Sequence, residues 1–253
     1  MKIIFLGTGT SQGVPVIACQ CDVCRSEDLK DKRLRSSVYI EVGESAWVID
    51  SGPDFRQQML RAKVLKLDAI LFTHEHKDHT AGLDDVRSYN YLQKSAMPIY
   101  AEQRVLKSIQ QEFSYIFMKK RYPGIPKIEL NIIENKPFNI KEEKIIPIRG
   151  MHYRLPVFAY RIRNFAYITD VNYVSEEEQE KLKDLDVLVV NALRKEKHLS
   201  HFNLEEALAL IEKVKPKKAY LTHISHFLGK HEEISKELPD DVFLAYDGLE
   251  INL

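Results

Sequence analysis

Short runs of apolar and β-branched residues recur along the chain, and turn residues or charged residues separate them. Each run is four to six residues long, which is the length and composition typical of β-strands. The pattern predicts strands at 3–6, 38–42, 46–49, 69–72, 145–148, 157–162, 165–168, 187–190, 219–222 and 242–246. Gly43-Glu44 and Arg163-Asn164 lie between such runs, and they predict tight hairpin turns.

Helical patterns lie between the predicted strands. Asn203 and Glu206 have the spacing of a capping box, and the apolar residues that follow lie on one helical face. Ser175 and Glu178 predict a second helix start in the same way, and further helices are predicted over 79–94 and 102–117. Residues 118–138 are rich in proline, lysine and aromatic residues, so they predict a loop, either a solvated connector or a lid.

The order of these elements predicts the fold class. Hairpins come early, helices are interspersed, and a second strand-rich half follows. This order favours an α/β fold in which two β-sheets pack together with helices on their outer faces, although other α/β layouts fit the same pattern. We expect a single domain over residues 1–253.

Composition and charge narrow the class of protein. The chain has 253 residues, with 37 lysines and arginines against 37 aspartates and glutamates, so its formal net charge is zero. A dedicated nucleic-acid binder carries a clear basic excess, so zero charge weighs against that class, although a locally basic groove stays open. No run approaches the roughly 18–20 apolar residues of a membrane helix, so no membrane association is expected. The apolar start is too short for a signal peptide and predicts a first strand.

The three cysteines are Cys19, Cys21 and Cys24. An odd number of cysteines at such close spacing is not a disulfide framework. It indicates a reducing compartment, the cytoplasm, with the thiols either free or bound to a metal. A tetrahedral Zn²⁺ site would need one further ligand, and three cysteines with one histidine form a standard structural set.

The segment 71–79 concentrates side chains that bind metals. His74, His76, Asp78 and His79 lie between a predicted buried strand and a predicted helix. His74 and His76 are two residues apart, so in an extended segment they point the same way and can bind one metal ion. Asp78 and His79 then open the helix and can face a second ion. Packing does not account for four such side chains at this junction.

This His-x-His-x-Asp-His segment resembles the signature of the metallo-β-lactamase-fold hydrolases. The resemblance covers nearly the whole chain and implies the αβ/βα four-layer sandwich, with two mixed β-sheets flanked by helices. It also implies a role for Asp50 behind the metal ligands. The resemblance further implies one metal ion on His74, His76 and His152, a second ion on Asp78, His79 and His223, and a bridging Asp170.

Such a ligand set is chemically consistent with hydrolysis. Two divalent ions about 3.5–4 Å apart can hold a hydroxide nucleophile and clamp a phosphoryl oxygen. Imidazole suits Zn²⁺, and carboxylates widen the choice towards Mn²⁺, with Fe²⁺ also permitted. Asp78 can in addition orient the hydroxide, which gives it a catalytic role.

Within this superfamily the chain resembles the PhnP-type cyclic phosphodiesterases of phosphonate catabolism. The resemblance is carried by Gly7-Thr8-Gly9, Gln12-Gly13-Val14-Pro15, the three cysteines and Leu221-Thr222-His223-Ile224-Ser225-His226. It implies a structural Zn²⁺ on Cys19, Cys21, Cys24 and His226, and it makes a homodimer plausible. It also implies that His201 is the general acid, with His198 as the fallback. Taken alone, the segment 7–10 lacks the lysine and spacing of a P-loop and predicts a turn.

The leading hypothesis is a dinuclear-metal-dependent phosphodiesterase that opens 5-phosphoribosyl 1,2-cyclic phosphate. His201 would protonate the departing oxygen, a contribution typically worth about 10²–10⁴-fold. Candidate contacts to the rest of this small substrate are a basic cluster, which is more often simply solvated, and Arg154. The residues of the basic cluster are Lys119, Lys120, Arg121 and Tyr122.

Three alternatives stay open. The first is a tRNA 3′-end processing endonuclease, which the neutral charge and the short interval between His152 and Asp170 disfavour, because that interval leaves no room for a tRNA-clamping arm. The second is hydrolysis of another ester, thioester or lactam. The third is a zinc-stabilised binding module without catalysis, which the complete ligand set disfavours.

Overall fold

The computed structural model describes residues 1–118 and 124–253, so Lys119, Lys120, Arg121 and Tyr122 lie outside the described residues. The strands are β1 Lys2–Gly7, β2 Ser37–Val42, β3 Ser45–Ile49, β4 Ala69–Leu71, β5 Met97–Ala101, β6 Ile128–Ile132, β7 Phe138–Ile140, β8 Glu143–His152, β9 Leu155–Ile162, β10 Phe165–Ile168, β11 Tyr173–Val174, β12 Val187–Asn191, β13 Lys218–Thr222, β14 Val242–Leu244 and β15 Glu250–Asn252. The α-helices are α1 Asp22–Arg25, α2 Phe55–Ala62, α3 Lys77–Thr80, α4 Arg87–Gln93, α5 Gln103–Glu112, α6 Ser114–Phe117, α7 Glu176–Gln179, α8 Leu204–Val214 and α9 His231–Ser235.

The strands form two mixed sheets. The first sheet has the order β15-β1-β2-β3-β4-β5-β6. The second has the order β11-β8-β9-β10-β12-β13-β14, and β7 pairs with β8. In both sheets antiparallel hairpins continue into parallel strands, since β3, β4, β5 and β6 pair in parallel, as do β10, β12, β13 and β14.

The alternation of side chains along the strands explains why the sheets stack. In β1, Ile3 and Phe5 belong to the core between the two sheets, whereas Ile4 and Leu6 pack towards the helices on the other face. In β12, Val187 faces the inner core and the next residue faces the helices of the second sheet. Successive strand side chains point to opposite faces. The result is a helix–sheet–sheet–helix sandwich, which confirms the predicted fold class.

The predicted strands and hairpins are all present, and the helix predictions are confirmed in part. The Asn203–Glu206 capping box is formed at the start of α8. Ser175 caps α7, which is a single turn followed by a 3-10 turn. The helices predicted over 79–94 and 102–117 are each divided into shorter pieces. The loop prediction for 118–138 is wrong over 128–132, because that segment pairs with β5 as β6.

Several strands end at the same edge of the sandwich. β3 leads into Asp50 and β4 into His74, while β10 leads into Asp170 and β13 into His223. Parallel strands place their carboxyl ends together, and loops at such an edge commonly carry functional groups. The described helices include none that is both long enough and apolar enough to cross a membrane.

Candidate dinuclear metal centre

His74 and His76 lie on the segment that joins β4 to α3. The Nε2 atom of His74 is 2.9 Å from the Nδ1 atom of His76, as expected for two side chains that point the same way. Thr73 Oγ1 lies 2.9 Å from the other ring nitrogen of His74 and so fixes the ring from behind. The backbone here depends on Gly52, because a Cβ at that position would overlap with the backbone oxygen of Asp78.

A second group forms around Asp170. The Nε2 atom of His79 lies 3.1 Å from Asp78 Oδ2 and 3.2 Å from Asp170 Oδ2. The Nδ1 atom of His223 lies 3.0 Å from the same Asp170 oxygen. Asp170 therefore stands between residues that follow strands of both sheets.

His152 and His201 form a third group of side chains next to Asp170. The Nδ1 atom of His152 donates a hydrogen bond of 3.0 Å to the backbone oxygen of Ser200, which leaves its Nε2 atom free. His201 Nδ1 lies 3.9 Å from Asp170 Oδ1, and its ring stacks on that of His223 at 4.8 Å between centroids. The segment before α8 is thereby held against the site.

Three sets of three residues could each hold a metal ion, because the ligand atoms within each set lie within 4.8 Å of one another. All three sets include Asp170. They are His74 with His79, His152 with His201, and Asp78 with His223, each pair together with Asp170. His76 stands beside this cluster, next to His74, with its ring centroid 5.1 Å from that of His152. The predicted ligands of the active site are thus brought together, and His201 joins them within ligand distance of Asp170.

The charges in the cluster suit a cation. Burial opposes ionisation of Asp170, yet the neighbouring His223 and His79 hold its pKa well below its ordinary value. Burial also opposes a charge on His79, but the three carboxylates around it raise its pKa well above the usual value. Burial lowers the pKa of His74 well below its ordinary value, so this ring is in the neutral form that binds metals.

The atoms of the cluster fit divalent ions. His79 Nε2 and His201 Nδ1 are buried, and in the described part of the chain neither atom makes a hydrogen bond of acceptable geometry, although carboxylate oxygens lie 3.1–3.9 Å away. Buried polar atoms are rarely left without partners, so each such atom needs an explanation. Nitrogen ligands at about 2.0–2.1 Å from Zn²⁺ lie roughly 2.9–3.4 Å apart for angles of 90–110°. The separations of 2.9–3.2 Å in the cluster agree with this spacing.

The cysteine cluster forms a separate site. The Sγ atoms of Cys19, Cys21 and Cys24 lie 3.3, 3.3 and 3.5 Å from His226 Nδ1. Zinc bonds of about 2.3 Å to sulfur and 2.05 Å to nitrogen at the tetrahedral angle place the two atoms about 3.5 Å apart. The backbone N–H of Cys24 lowers the pKa of the Cys21 thiol to about 6, which favours the thiolate that binds metals. The four residues therefore fit a tetrahedral zinc ion.

Sequence patterns missed part of the supporting shell. Thr10 Oγ1 lies 3.1 Å from His223 Nε2, and Ser36 Oγ lies 3.2 Å from the other ring nitrogen. The turn prediction for the segment 7–10 is wrong, because Gly7 ends β1 and Gly9 bridges to Arg35 and Ile224 in extended backbone. Thr10, at the end of this segment, orients a predicted ligand. No local signal reveals these contacts, because they join residues about 190–210 positions apart. His198 is half-buried, with its ring centroid 5.1 Å from that of His201.

Comparison with known proteins defines the class. Residues 47–224 match the family model described as a beta-lactamase superfamily domain, and the chain therefore belongs to this family. Its two-sheet sandwich is the metallo-β-lactamase fold. Within this class the chain resembles the PhnP family: a crystal structure of a new diphosphatase from that family has a TM-score of 0.93 and 37% identity, covering 100% of this chain and 97% of that chain.

Two curated relatives extend the comparison. An octanoyltransferase of Porphyromonas gingivalis is 43% identical over 254 residues, which is 99% of this chain and 51% of the relative. A ribonuclease Z of an Exiguobacterium species is 26% identical over 168 residues, which is 64% of this chain and 48% of the relative. The chain thus spans about half the length of these relatives.

Proposed function

We propose that this protein is a dinuclear-metal-dependent phosphodiesterase that opens a cyclic ribose phosphate of the 5-phosphoribosyl 1,2-cyclic phosphate type. One hydrolase domain over residues 1–253 would carry the activity. The observation on which the proposal rests is the convergence of three sets of ligand atoms on Asp170. The likeness to a protein described as a diphosphatase of the PhnP family, over the full chain, adds support.

The metal ligands in this proposal are His74, His76, Asp78, His79, His152, Asp170 and His223. Asp170 would bridge, and the remaining side chains would divide between two sites. When bound, two divalent ions such as Zn²⁺ or Mn²⁺ would activate water and neutralise charge that develops on a phosphoryl oxygen. Asp78, whose pKa neighbouring His79 keeps low despite burial, would orient the nucleophile as a charged acceptor.

His201 would supply the proton for the departing oxygen. Burial, assisted by the nearby His223, lowers the pKa of His201 to about 3, so the ring is neutral at pH 7 in the free protein. A phosphodiester bound beside the ring brings negative charge, which favours the imidazolium form and raises this pKa. The substrate's own charge thus prepares His201 to donate. A neutral ring would serve equally as a ligand, so the test must count metals as well as rates.

The second candidate function is tRNA 3′-end cleavage, and the similarity to a ribonuclease Z is the observation that favours it. The same metal site would serve that reaction. In the interval between His152 and Asp170, β9 and β10 follow one another through two-residue turns, so this interval holds no arm that could clamp tRNA. The zero net charge also supports a small substrate over a polyanion.

The octanoyltransferase relative is about twice the length of this chain, so its activity need not lie in the matched half. Acyl transfer through an enzyme thiol needs an accessible nucleophilic cysteine. The three cysteines of this chain lie together with His226 in the second cluster, where a bound zinc ion would occupy their thiolates. We therefore propose hydrolysis for this chain, and a structural Zn²⁺ on Cys19, Cys21, Cys24 and His226.

A comparison of substrates tests the proposed function. The protein is loaded with Mn²⁺ or Zn²⁺ and given bis(p-nitrophenyl) phosphate and precursor tRNA in parallel. The proposal predicts release of p-nitrophenol with at least one metal and no cleavage of the tRNA. Cleavage at the tRNA 3′ end would favour the second candidate function. Metal binding without turnover of either substrate would favour a binding module.

A further inference from the structure

The turn between β8 and β9 has an unusual residue next to a metal ligand. His152 pairs with Leu155, so Tyr153 and Arg154 form a two-residue hairpin turn. Tyr153 has φ = 57°, in the left-handed region that such turns usually fill with glycine, asparagine or aspartate. A bulky aromatic residue in this conformation is costly, and residues of this kind cluster at functional sites.

Hydrogen bonds hold this turn against the segment that carries His201. The backbone N–H of Tyr153 donates to Asn172 Oδ1 at 2.8 Å. The Asn172 side-chain amide donates to the backbone oxygen of Leu199 at 3.2 Å. The turn therefore has a fixed position relative to both sides of the metal centre.

A pocket of about 500 Å³ lies beside the metal ligands and includes this turn in its walls. His76 and His152 line the side towards the metal centre, and Tyr153, Arg154 and Leu199 line the outer side. Tyr153 is 46% exposed and Leu199 67% exposed, so two large side chains present apolar surface at the rim. A molecule that reached the metal centre through this pocket would touch both of them.

Arg154 gives the pocket a positive charge. Its guanidinium carbon lies 5.1 Å from the centroid of the Tyr153 ring. Within residues 1–118 and 124–253, no carboxylate forms an ion pair with this guanidinium. By contrast, Arg163 in the turn at the far end of β9 pairs with Glu143. Arginine presents a planar fork of N–H donors that matches phosphate oxygens.

We propose that Tyr153 and Arg154 bind the non-reacting part of the substrate, and that Arg154 pairs with a second phosphate group remote from the scissile one. The Tyr153 ring would pack against the sugar between the two phosphates. The proposal rests on the proposed function and deepens it, because it assigns the residues that select a substrate with a remote phosphate.

The test compares two substrates that differ only in the remote phosphate: 5-phosphoribosyl 1,2-cyclic phosphate and ribose 1,2-cyclic phosphate. We expect Arg154→Ala to lower the ratio of kcat/KM for the first over the second at least about tenfold, mainly through KM, and Arg154→Lys to recover part of it. Arg163→Ala is the matched control, since eight strand residues, roughly 25 Å, separate it from the pocket. An unchanged ratio in Arg154→Ala would overturn the proposal.

Binding of ribose 5-phosphate, measured by calorimetry on the metal-loaded protein, separates this inference from the proposed function. We expect Arg154→Ala to weaken that binding about tenfold or more, whether or not any diester is turned over. Equal affinity in the wild type and the variant would contradict a phosphate site at Arg154. If binding weakens but neither cyclic phosphate is hydrolysed, the inference stands and the proposed reaction fails.

A second variant uses the backbone of the turn. Tyr153→Gly removes the ring but suits φ = 57°, so we expect an unchanged or higher midpoint of thermal unfolding. In the same variant KM for both cyclic ribose phosphates should rise several-fold, because both contain the sugar. A wild-type KM would show that the ring does not contact the substrate.

Discussion

The Oδ2 atom of Asp50 lies 2.7 Å from the Nδ1 atom of His79, and both side chains are fully buried. Asp50 also accepts hydrogen bonds of 2.8 Å from the backbone N–H and the hydroxyl of Thr73. These contacts fix the carboxylate, which in turn holds the proton on Nδ1 of His79. The opposite ring nitrogen, Nε2, then points at the carboxylates of Asp78 and Asp170. A carboxylate behind a metal-binding histidine commonly raises metal affinity in this way.

Asp50→Asn should weaken metal binding about 10–100-fold. The amide has one acceptor oxygen for three donors, and its NH₂ group would face the N–H of His79. Isothermal titration calorimetry of the metal-free protein with Zn²⁺ measures this affinity. Asp240→Asn changes an exposed aspartate outside the cluster and serves as the control. Wild-type affinity in Asp50→Asn would contradict the role assigned to the Asp50–His79 pair.

His201→Ala should lower kcat about 10²–10⁴-fold while both active-site metals stay bound, because the proton donor is lost and the ligands are kept. Turnover of a phosphodiester and the metal content of the same sample are measured together. His198→Ala provides the comparison, and we expect an effect below about tenfold. If His201→Ala loses a metal ion, the residue is a ligand and not the proton donor.

Cys21→Ser should lower the zinc content by one ion per chain and lower the midpoint of thermal unfolding more than it lowers the turnover rate. The cysteine cluster joins the loop around α1 to the segment after β13, so its loss loosens that connection. Elemental analysis with thermal unfolding checks both effects. Glu27→Gln, in the same loop, is the control. An unchanged zinc content would remove the assignment of a structural zinc site.

A buried pair away from the metal centre makes stability depend on pH. Arg33 donates to Thr8 Oγ1 at 2.9 Å and to the Ala245 backbone oxygen at 2.6 Å, and its Nη2 atom lies 3.2 Å from His231 Nδ1. Burial, together with the charge of Arg33, lowers the pKa of His231 to about 4. The unfolded chain binds a proton at this histidine near pH 6.5, whereas the folded chain does so only near pH 4.

The free energy of unfolding should therefore fall as the pH decreases from about 6.5 towards 4. His231→Asn keeps an acceptor for Arg33 but does not titrate. Between pH 6.5 and 4 the free energy of unfolding of this variant should therefore fall by up to about 3 kcal/mol less than that of the wild type. Urea unfolding of both proteins in the presence of a chelator measures the difference without metal release. Parallel curves for the wild type and the variant would show that His231 does not control this dependence.

The sequence predicted the strands of the sandwich because their apolar runs are short and bounded by turns. It missed β5, where Pro98 interrupts the strand pattern, and β6, which lies in a segment rich in proline and lysine. It also missed three strands of two or three residues, β7, β11 and β15, which are too short to give a pattern. The sequence pattern over 79–94 also predicted one helix where the structure has α3 and α4. That helix is broken near Gly82, where a Cβ would overlap with the backbone oxygen of Gly52. Such breaks depend on tertiary packing, which no local pattern reports.

Sequence patterns likewise predicted one part of the candidate site and missed another. His74, His76, Asp78 and His79 are close in sequence, so their spacing alone indicated a metal site. The partners that orient them come from distant segments, as when Thr10 meets His223. The turn between β8 and β9 shows the same limit, because Tyr153 has a positive φ that its residue type does not favour.

The most direct test of the central claim is ³¹P NMR of 5-phosphoribosyl 1,2-cyclic phosphate incubated with protein loaded with Zn²⁺ or Mn²⁺. Our account predicts that the signal of the five-membered cyclic diester is replaced by that of a phosphate monoester, and that the rate depends on the two active-site ions. Persistence of the cyclic diester with either metal, in samples that contain two active-site ions per chain, would contradict it.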